Sequence, residues 1–143
     1  MSHATRDTRL GVLPVQFSFQ FPPADDAPAQ SRAALEVFDQ ILSPEVLEDL
    51  QLVVSELITN SVKFGPQRPI TLALQIGTEG LVRGEVIDQG DGERAKILMN
   101  PEPTLAGGWG LHLVDRVSQA WGVHHGSTHV WFEVGPQRRP RGA

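Results

Sequence analysis

Apolar positions recur along the chain with two different spacings. From Leu13 to Phe21 the stretch LPVQFSFQF alternates strictly, placing Leu13, Val15, Phe17, Phe19 and Phe21 on one side. A period of two is that of a strand with one buried face, and Pro14 predicts that it starts at a sheet edge. PPADDAP reads as a turn-rich loop. AQSRAALEVFDQIL then spaces Ala34, Leu35, Val37, Phe38, Ile41 and Leu42 as one face of an amphipathic helix. The next segment, SPEVLEDLQLVVSELITNSVKFG, has Ser43 in place for an N-cap, Pro44 at the first helical position and acids in the first turn. It stops at Gly65, where Pro66 forbids continuation. ITLALQI and LVRGEVID both alternate and are joined by the turn GTEG, which predicts a hairpin. A Gly/Pro-rich connection runs from Gly90 to Gly110. LHLVDRVSQAW predicts a helix with Leu111, Val114, Val117 and Trp121 on its buried side, and THVWFEV a final strand.

This order, strand, two helices, two strands, a loop, a helix and a strand, keeps the helices together and joins strands by hairpins. It predicts an α+β two-layer sandwich, a mixed and mostly antiparallel sheet with helices packed on one face. The 143 residues suffice for one domain with a real core and not comfortably for two. The expected division is a flexible N-terminus at 1–12, a single domain at 13–134 and a disordered basic tail at 135–143.

Composition narrows the classes. The net charge of −5 repels phosphate, so neither nucleic acid nor an anionic membrane is an expected direct partner. No apolar run approaches the length of about 20 residues needed to span a bilayer. The polar start MSHATRDTRLG lacks the apolar core of a secretory signal. The absence of cysteine removes disulfides and thiolate metal sites, and fits a cytoplasmic protein.

The long central helix raises a chemical question. Asn60 falls inside the apolar stripe formed by Val46, Leu50, Val53 and Leu57, and Glu56 falls on its border, at about 100° per residue. Burying an amide or a carboxylate without partners is costly. Two accounts are open: hydrogen bonds tie both groups into the core, or the stripe faces a ligand cavity here. In the second, Glu56 serves as a base and Asn60 offers a carbonyl oxygen to a cation such as Mg²⁺, which suits oxygen ligands and substrate phosphates.

Two further segments bear on that choice. Val82, Gly84, Val86 and Asp88 share one strand face, so Asp88 points to the core side just where the strand gives way to QGDG. There it either starts an Asx-turn or accepts a hydrogen bond from an exocyclic amine such as adenine N6. Gly90 and Gly92 would admit a planar ring. In AGGWGLHLVD, Gly107, Gly108 and Gly110 precede a helix start, whose free N–H groups suit a phosphate. Neither a Walker A pattern nor a strand-borne GxGxxG is present.

Taken in order, ELITN, DQGDG and GGWGLHLVD resemble the N, G1 and G2 boxes of the GHKL ATP-binding superfamily, and in its small size the chain resembles the anti-sigma factor serine kinases and related regulators of that superfamily. WGV after the last helix and VWFEV near the C-terminus also resemble that group. The resemblance covers roughly Leu13 to Val134 and implies a Bergerat-type fold that binds ATP with Mg²⁺. It implies that Glu56 is the general base and that Asn60 coordinates Mg²⁺. It implies that Asp88 reads adenine, that Gly90 and Gly92 line the base pocket, and that Gly108 and Gly110, with Leu111 following, lie by the phosphates. Lys63, in the N box, and Thr128 and His129, in the last strand, are further nucleotide-site candidates. Glu93 to Ala106 would form a short lid. Phe64 stands where relatives often have His, and His129 takes the position of a Thr near adenine.

The implied activity is ATP-dependent phosphorylation of a serine or threonine on an anti-anti-sigma (STAS-type) antagonist by a protein that also binds a sigma factor. Homodimerisation through the edge strand VQFSFQF is a further expectation. The alternative is a GHKL-fold binding module, weak or inactive in catalysis, that sequesters a protein partner. A metal site at His124, His125 and His129 is disfavoured, because adjacent histidines diverge on a strand and no Cys or acid joins them.

Overall fold

A computed structural model describes residues 15–88, 108–123 and 129–136, with only the helical backbone at 108–110. The N-terminal segment 1–12, the lid from Glu93 to Ala106, Gly90, Gly92, Thr128 and the tail beyond Pro136 lie outside the described residues.

Five strands form one sheet, β1 (Val15–Phe21), β2 (Ile70–Ile76), β3 (Val82–Ile87), β4 (Ala120–Val123) and β5 (Val130–Val134). Their spatial order is β1-β2-β3-β5-β4. Three helices cover one face, α1 (Ala27–Leu35), α2 (Pro44–Phe64) and α3 (Gly108–Val117). The α+β sandwich is therefore as the pattern predicts, with one correction. Every neighbouring pair of strands is antiparallel, so the sheet is not mixed. The cause is β4. The sequence pattern extends the last helix through Trp121, but the helix stops at Val117 and the chain turns into a short strand. A strand–helix–strand unit would have brought β5 in parallel to β3; inserting β4 reverses its direction.

The inner face of the sheet is built from alternate residues. Ile70, Leu72, Leu74 and Ile76 of β2, Val82 and Val86 of β3, and Val130, Phe132 and Val134 of β5 are all buried. The opposite face carries polar residues, among them Arg83 directly across from Glu133, with Nη2 and Nε donating to Glu133 Oε2 at 2.6 and 2.8 Å.

α2 forms where its caps dictate. The Ser43 hydroxyl accepts from Val46 N–H at 3.2 Å, Pro44 follows at the start, and Glu45 lies in the first turn. At the other end the Gln67 side chain donates to the Val62 carbonyl at 2.9 Å, with Gln67 itself at φ 60°. Ser43→Ala is expected to cost about 1 kcal/mol. A urea melt checks this through a lower midpoint with unchanged slope.

The helix predicted from Ala29 to Leu42 is shorter and tighter. α1 ends at Leu35, and Glu36–Phe38 form a turn of 3-10 helix. That turn drops Phe38 onto the strand, with ring centroids 4.7 Å from Phe17 and 6.2 Å from Phe19, both edge-on. The change of helical period leaves Val37 and Ile41 outside, 68% and 59% exposed. β1 lies at the sheet edge as Pro14 predicts, yet only Phe21 of its apolar row is fully buried and Val15 is exposed. No helix among the described residues is long and apolar enough to cross a membrane.

Candidate functional site

The apolar stripe of α2 is buried as its spacing requires: Val46, Leu50, Val53, Val54, Leu57 and Ile58 are all at or below 3% exposure. Asn60 sits among them at 4% exposure, and its Nδ2 has no hydrogen-bond partner among the described residues. Leaving a buried amide unpaired costs about 1–3 kcal/mol. That bears on the two accounts of the stripe, because no cross-helix bond ties this donor into the core. Glu56, one turn earlier, is half-buried, and Lys63 at the end of the helix is exposed.

Asp88 lies just past β3, 4% exposed. Its place relative to α2 follows from Gly65, the residue after the helix. A Cβ on Gly65 would stand 2.9 Å from Asp88 Oδ2 and 2.4 Å from the Ser61 carbonyl oxygen. The carboxylate is thus held against the C-terminal turn of α2, next to the residue that follows Asn60.

The third part of the constellation is the start of α3. A groove of about 450 Å³ is lined by Glu45, Glu48, Asp49 and Leu52 of α2 and by Leu113, Arg116 and Val117 of α3. The end of α3 therefore lies beside the beginning of α2. Its first turn is Gly108 to Leu111. Leu111 is buried at 4% and anchors that turn on the core with Val114 and Val117. Gly108 and Gly110 belong to the opening turn itself, where backbone N–H groups are free of intrahelical partners and the helix dipole favours an anion.

The site candidates are thus a buried amide and a half-buried carboxylate on α2, an inward carboxylate against its C-terminal turn, and the N-terminus of α3, a helix packed on α2. This donor set suits a nucleotide with its cation. An inward carboxylate can accept from a base amine, free N–H groups and a helix dipole suit phosphates, and an asparagine carbonyl is an oxygen ligand of the kind Mg²⁺ takes.

His129 is not brought to this place. Its ring pairs with Glu85 on the opposite face of the sheet, the face on which Trp131 covers Gly122. The sequence carried a signal for this. Val130, Phe132 and Val134 are the apolar set of the strand, so position 129 shares the outward parity of Trp131 and Glu133. Gly65 is a residue whose contact with Asp88 sequence reasoning missed, since it reads only as a helix terminator.

No curated protein matches the sequence significantly. Residues 22–133 match the histidine kinase-like ATPase domain, a span that begins just after β1 and takes in α2, Asp88 and α3. Domains of this kind bind ATP, usually with Mg²⁺. On that match, which covers most of the chain, the protein belongs to the histidine kinase-like ATPase family of the GHKL superfamily.

Proposed function

We propose that the protein is an ATP-dependent serine/threonine kinase that also acts as an anti-sigma factor, with an anti-anti-sigma protein of the STAS type as its phosphate acceptor. The observation that carries the nucleotide half of this reading is the match of residues 22–133 to the histidine kinase-like ATPase domain, with Asn60 buried one turn from Glu56 and Asp88 against the end of the same helix.

Bound Mg²⁺ would supply charge neutralisation on the phosphates, with Asn60 as its protein ligand. Asp88 orients the nucleotide by accepting from the adenine amine. The opening turn of α3 holds the phosphate oxygens through its N–H groups. Glu56 then takes the proton of the acceptor hydroxyl as that oxygen bonds to the γ-phosphorus. The bond from the γ-phosphorus to the β,γ-bridging oxygen breaks and ADP leaves. Such a transfer relies on positioning and charge far more than on covalent help from the protein. The direct test is transfer of labelled γ-phosphate from ATP to a purified STAS-type antagonist. Phosphoserine or phosphothreonine on the antagonist is expected, and no transfer despite tight ATP binding would remove the kinase assignment.

Partner contact is supported at the β1 edge. Val15, Val37 and Ile41 are the exposed large apolar side chains among the described residues: Val15 lies on β1, Val37 on the 3-10 turn whose Phe38 packs on that strand, and Ile41 shortly after that turn. β1 carries no charged residue, and a second copy of the chain would pair there strand to strand. Val15→Glu with Ile41→Glu is expected to shift a dimer to monomer in sedimentation velocity, with the melting temperature of the domain kept.

A second reading is favoured by His129. With that side chain turned away and tied to Glu85, the last strand offers no imidazole contact to a base in the α2–α3 layer. A module that binds nucleotide weakly and sequesters a protein partner fits that loss. An ATP affinity too weak to saturate at millimolar nucleotide, with partner binding intact, would favour it.

A further inference from the structure

Gly65 occupies a position where no conformational need for glycine exists. Its backbone is at φ −84° and ψ −179°, an extended conformation open to any residue. It is therefore not a left-handed helix cap of the kind that requires glycine. Its N–H donates to the Ser61 carbonyl at 2.8 Å, which closes the last turn of α2 and fixes where residue 65 stands. What the position lacks is room. A Cβ would lie 2.4 Å from the Ser61 carbonyl oxygen and 2.9 Å from Asp88 Oδ2, both closer than real Cβ contacts. The backbone atom belongs to the helix and cannot give way without opening that turn. The carboxylate is the far end of a side chain and shifts more readily than the backbone.

We infer that Gly65 is a positioning residue for nucleotide recognition: its missing side chain is the space that lets the Asp88 carboxylate rest against the end of α2. This rests on the reading that Asp88 accepts from the adenine amine. Asp88 is itself 4% exposed, so its carboxylate is confined by packing and cannot rotate to recover the same hydrogen bond from another direction. A displaced carboxylate loses the one interaction that distinguishes adenine from a purine without the amine. The loss therefore falls on selectivity between bases.

The experiment is calorimetric titration of the full chain and of Gly65→Ala with Mg-ATP and with the Mg complex of purine riboside triphosphate, which lacks the 6-amino group. The parent chain is expected to prefer ATP by about 10- to 100-fold, the range of one hydrogen bond to a charged group. In Gly65→Ala that ratio is expected to fall to near one, because ATP affinity drops by more than the analogue's. In an Asp88→Ala background, adding Gly65→Ala is expected to leave the ratio of the two affinities unchanged, since the pressure on the Ser61 carbonyl that remains acts on both nucleotides alike.

A variant that weakens both nucleotides equally, or neither, overturns the inference, because a merely structural glycine would act on both alike. If Gly65→Ala does not fold, the double variant Gly65→Ala/Asp88→Ala decides. Recovery of folding once the carboxylate is gone supports the steric contact with Asp88, and failure in the double variant as well overturns it. A parent chain that binds neither nucleotide contradicts the nucleotide reading itself, whereas a parent that binds both with an unaltered Gly65→Ala variant contradicts only the role of the glycine.

Discussion

Glu56→Gln is expected to slow phosphate transfer to the acceptor protein by about 10²- to 10⁴-fold, the usual contribution of a positioned general base. ATP affinity should stay close to that of the parent chain. Glu56 is only half-buried and lies one turn before Asn60 on α2. Glutamine keeps its length and shape there but cannot take the proton of an incoming hydroxyl. Because the proposed role sets Glu56 against the acceptor hydroxyl and not against the base or the cation, the loss belongs in the transfer step. Single-turnover transfer with saturating ATP reads that step directly. A lowered rate with unchanged nucleotide affinity is the signature of a group used only in the transition state. Transfer at the parental rate would remove the base role from Glu56 and leave it as an ordinary acid at the edge of the stripe.

Gly84→Val is expected to leave the chain unable to reach its native state. Gly84 lies on the inner face of β3, opposite Phe132 of β5 and Leu74 of β2. A Cβ there would stand 2.3 Å from Phe132 Cζ and 2.8 Å from Leu74 Cδ2. Phe132 is completely buried and Leu74 is 2% exposed, so neither side chain has free volume to enter. Overpacking of this kind costs about 1–3 kcal/mol where the core can shift and more where it cannot, against a total domain stability of about 5–15 kcal/mol. Alanine should be damaging and valine prohibitive. Far-UV circular dichroism and urea melts check this. Phe132→Leu is expected to recover part of the loss caused by Gly84→Ala, since it removes the nearest atom. A Gly84→Val chain as stable as the parent would show that the inner face is not packed as described.

These two positions mark what could be read in the sequence. α2 was legible from end to end, because its caps and its apolar stripe are local and redundant: Ser43, Pro44 and Gly65 fix its bounds, and Val46, Leu50, Val53 and Leu57 fix its face. Asn60 stood out for the same reason, as a polar residue inside a stripe whose spacing leaves no doubt about burial. Asp88 followed from the alternation of β3. The hairpin was legible from GTEG, and the Gly77 N–H to Leu81 carbonyl bond of 3.0 Å closes it, with Gly80 at φ 83°.

What could not be read depends on non-local contact or on short elements. β4 has four residues, and its WGV follows a helical pattern closely enough for Trp121 to look like the next buried position of α3. Trp121 instead stands on a strand and donates from its indole N–H to Asp115 at 2.9 Å. A fixed helical period carries no sign of the 3-10 turn at Glu36–Phe38, and it puts Val37 and Ile41 on the inner face, whereas both are exposed. Gly65 and Gly84 are glycines for reasons that lie in other elements, the Asp88 carboxylate and the Phe132 ring, and no local pattern announces either.

The most direct test of the central claim, that Asn60 is a buried polar group kept for a nucleotide, is a set of four thermal melts: the parent chain and Asn60→Leu, each with and without Mg-ATP. Leucine keeps the branching of asparagine and removes its unpaired amide. If the amide exists for the ligand, Asn60→Leu should melt a few degrees higher than the parent without nucleotide, about 1 kcal/mol or more in stability. Mg-ATP should raise the parent's melting temperature by mass action and leave Asn60→Leu unmoved. A lower melting temperature for Asn60→Leu, together with a parent chain that does not respond to Mg-ATP, would show that the amide serves the core and would contradict the account.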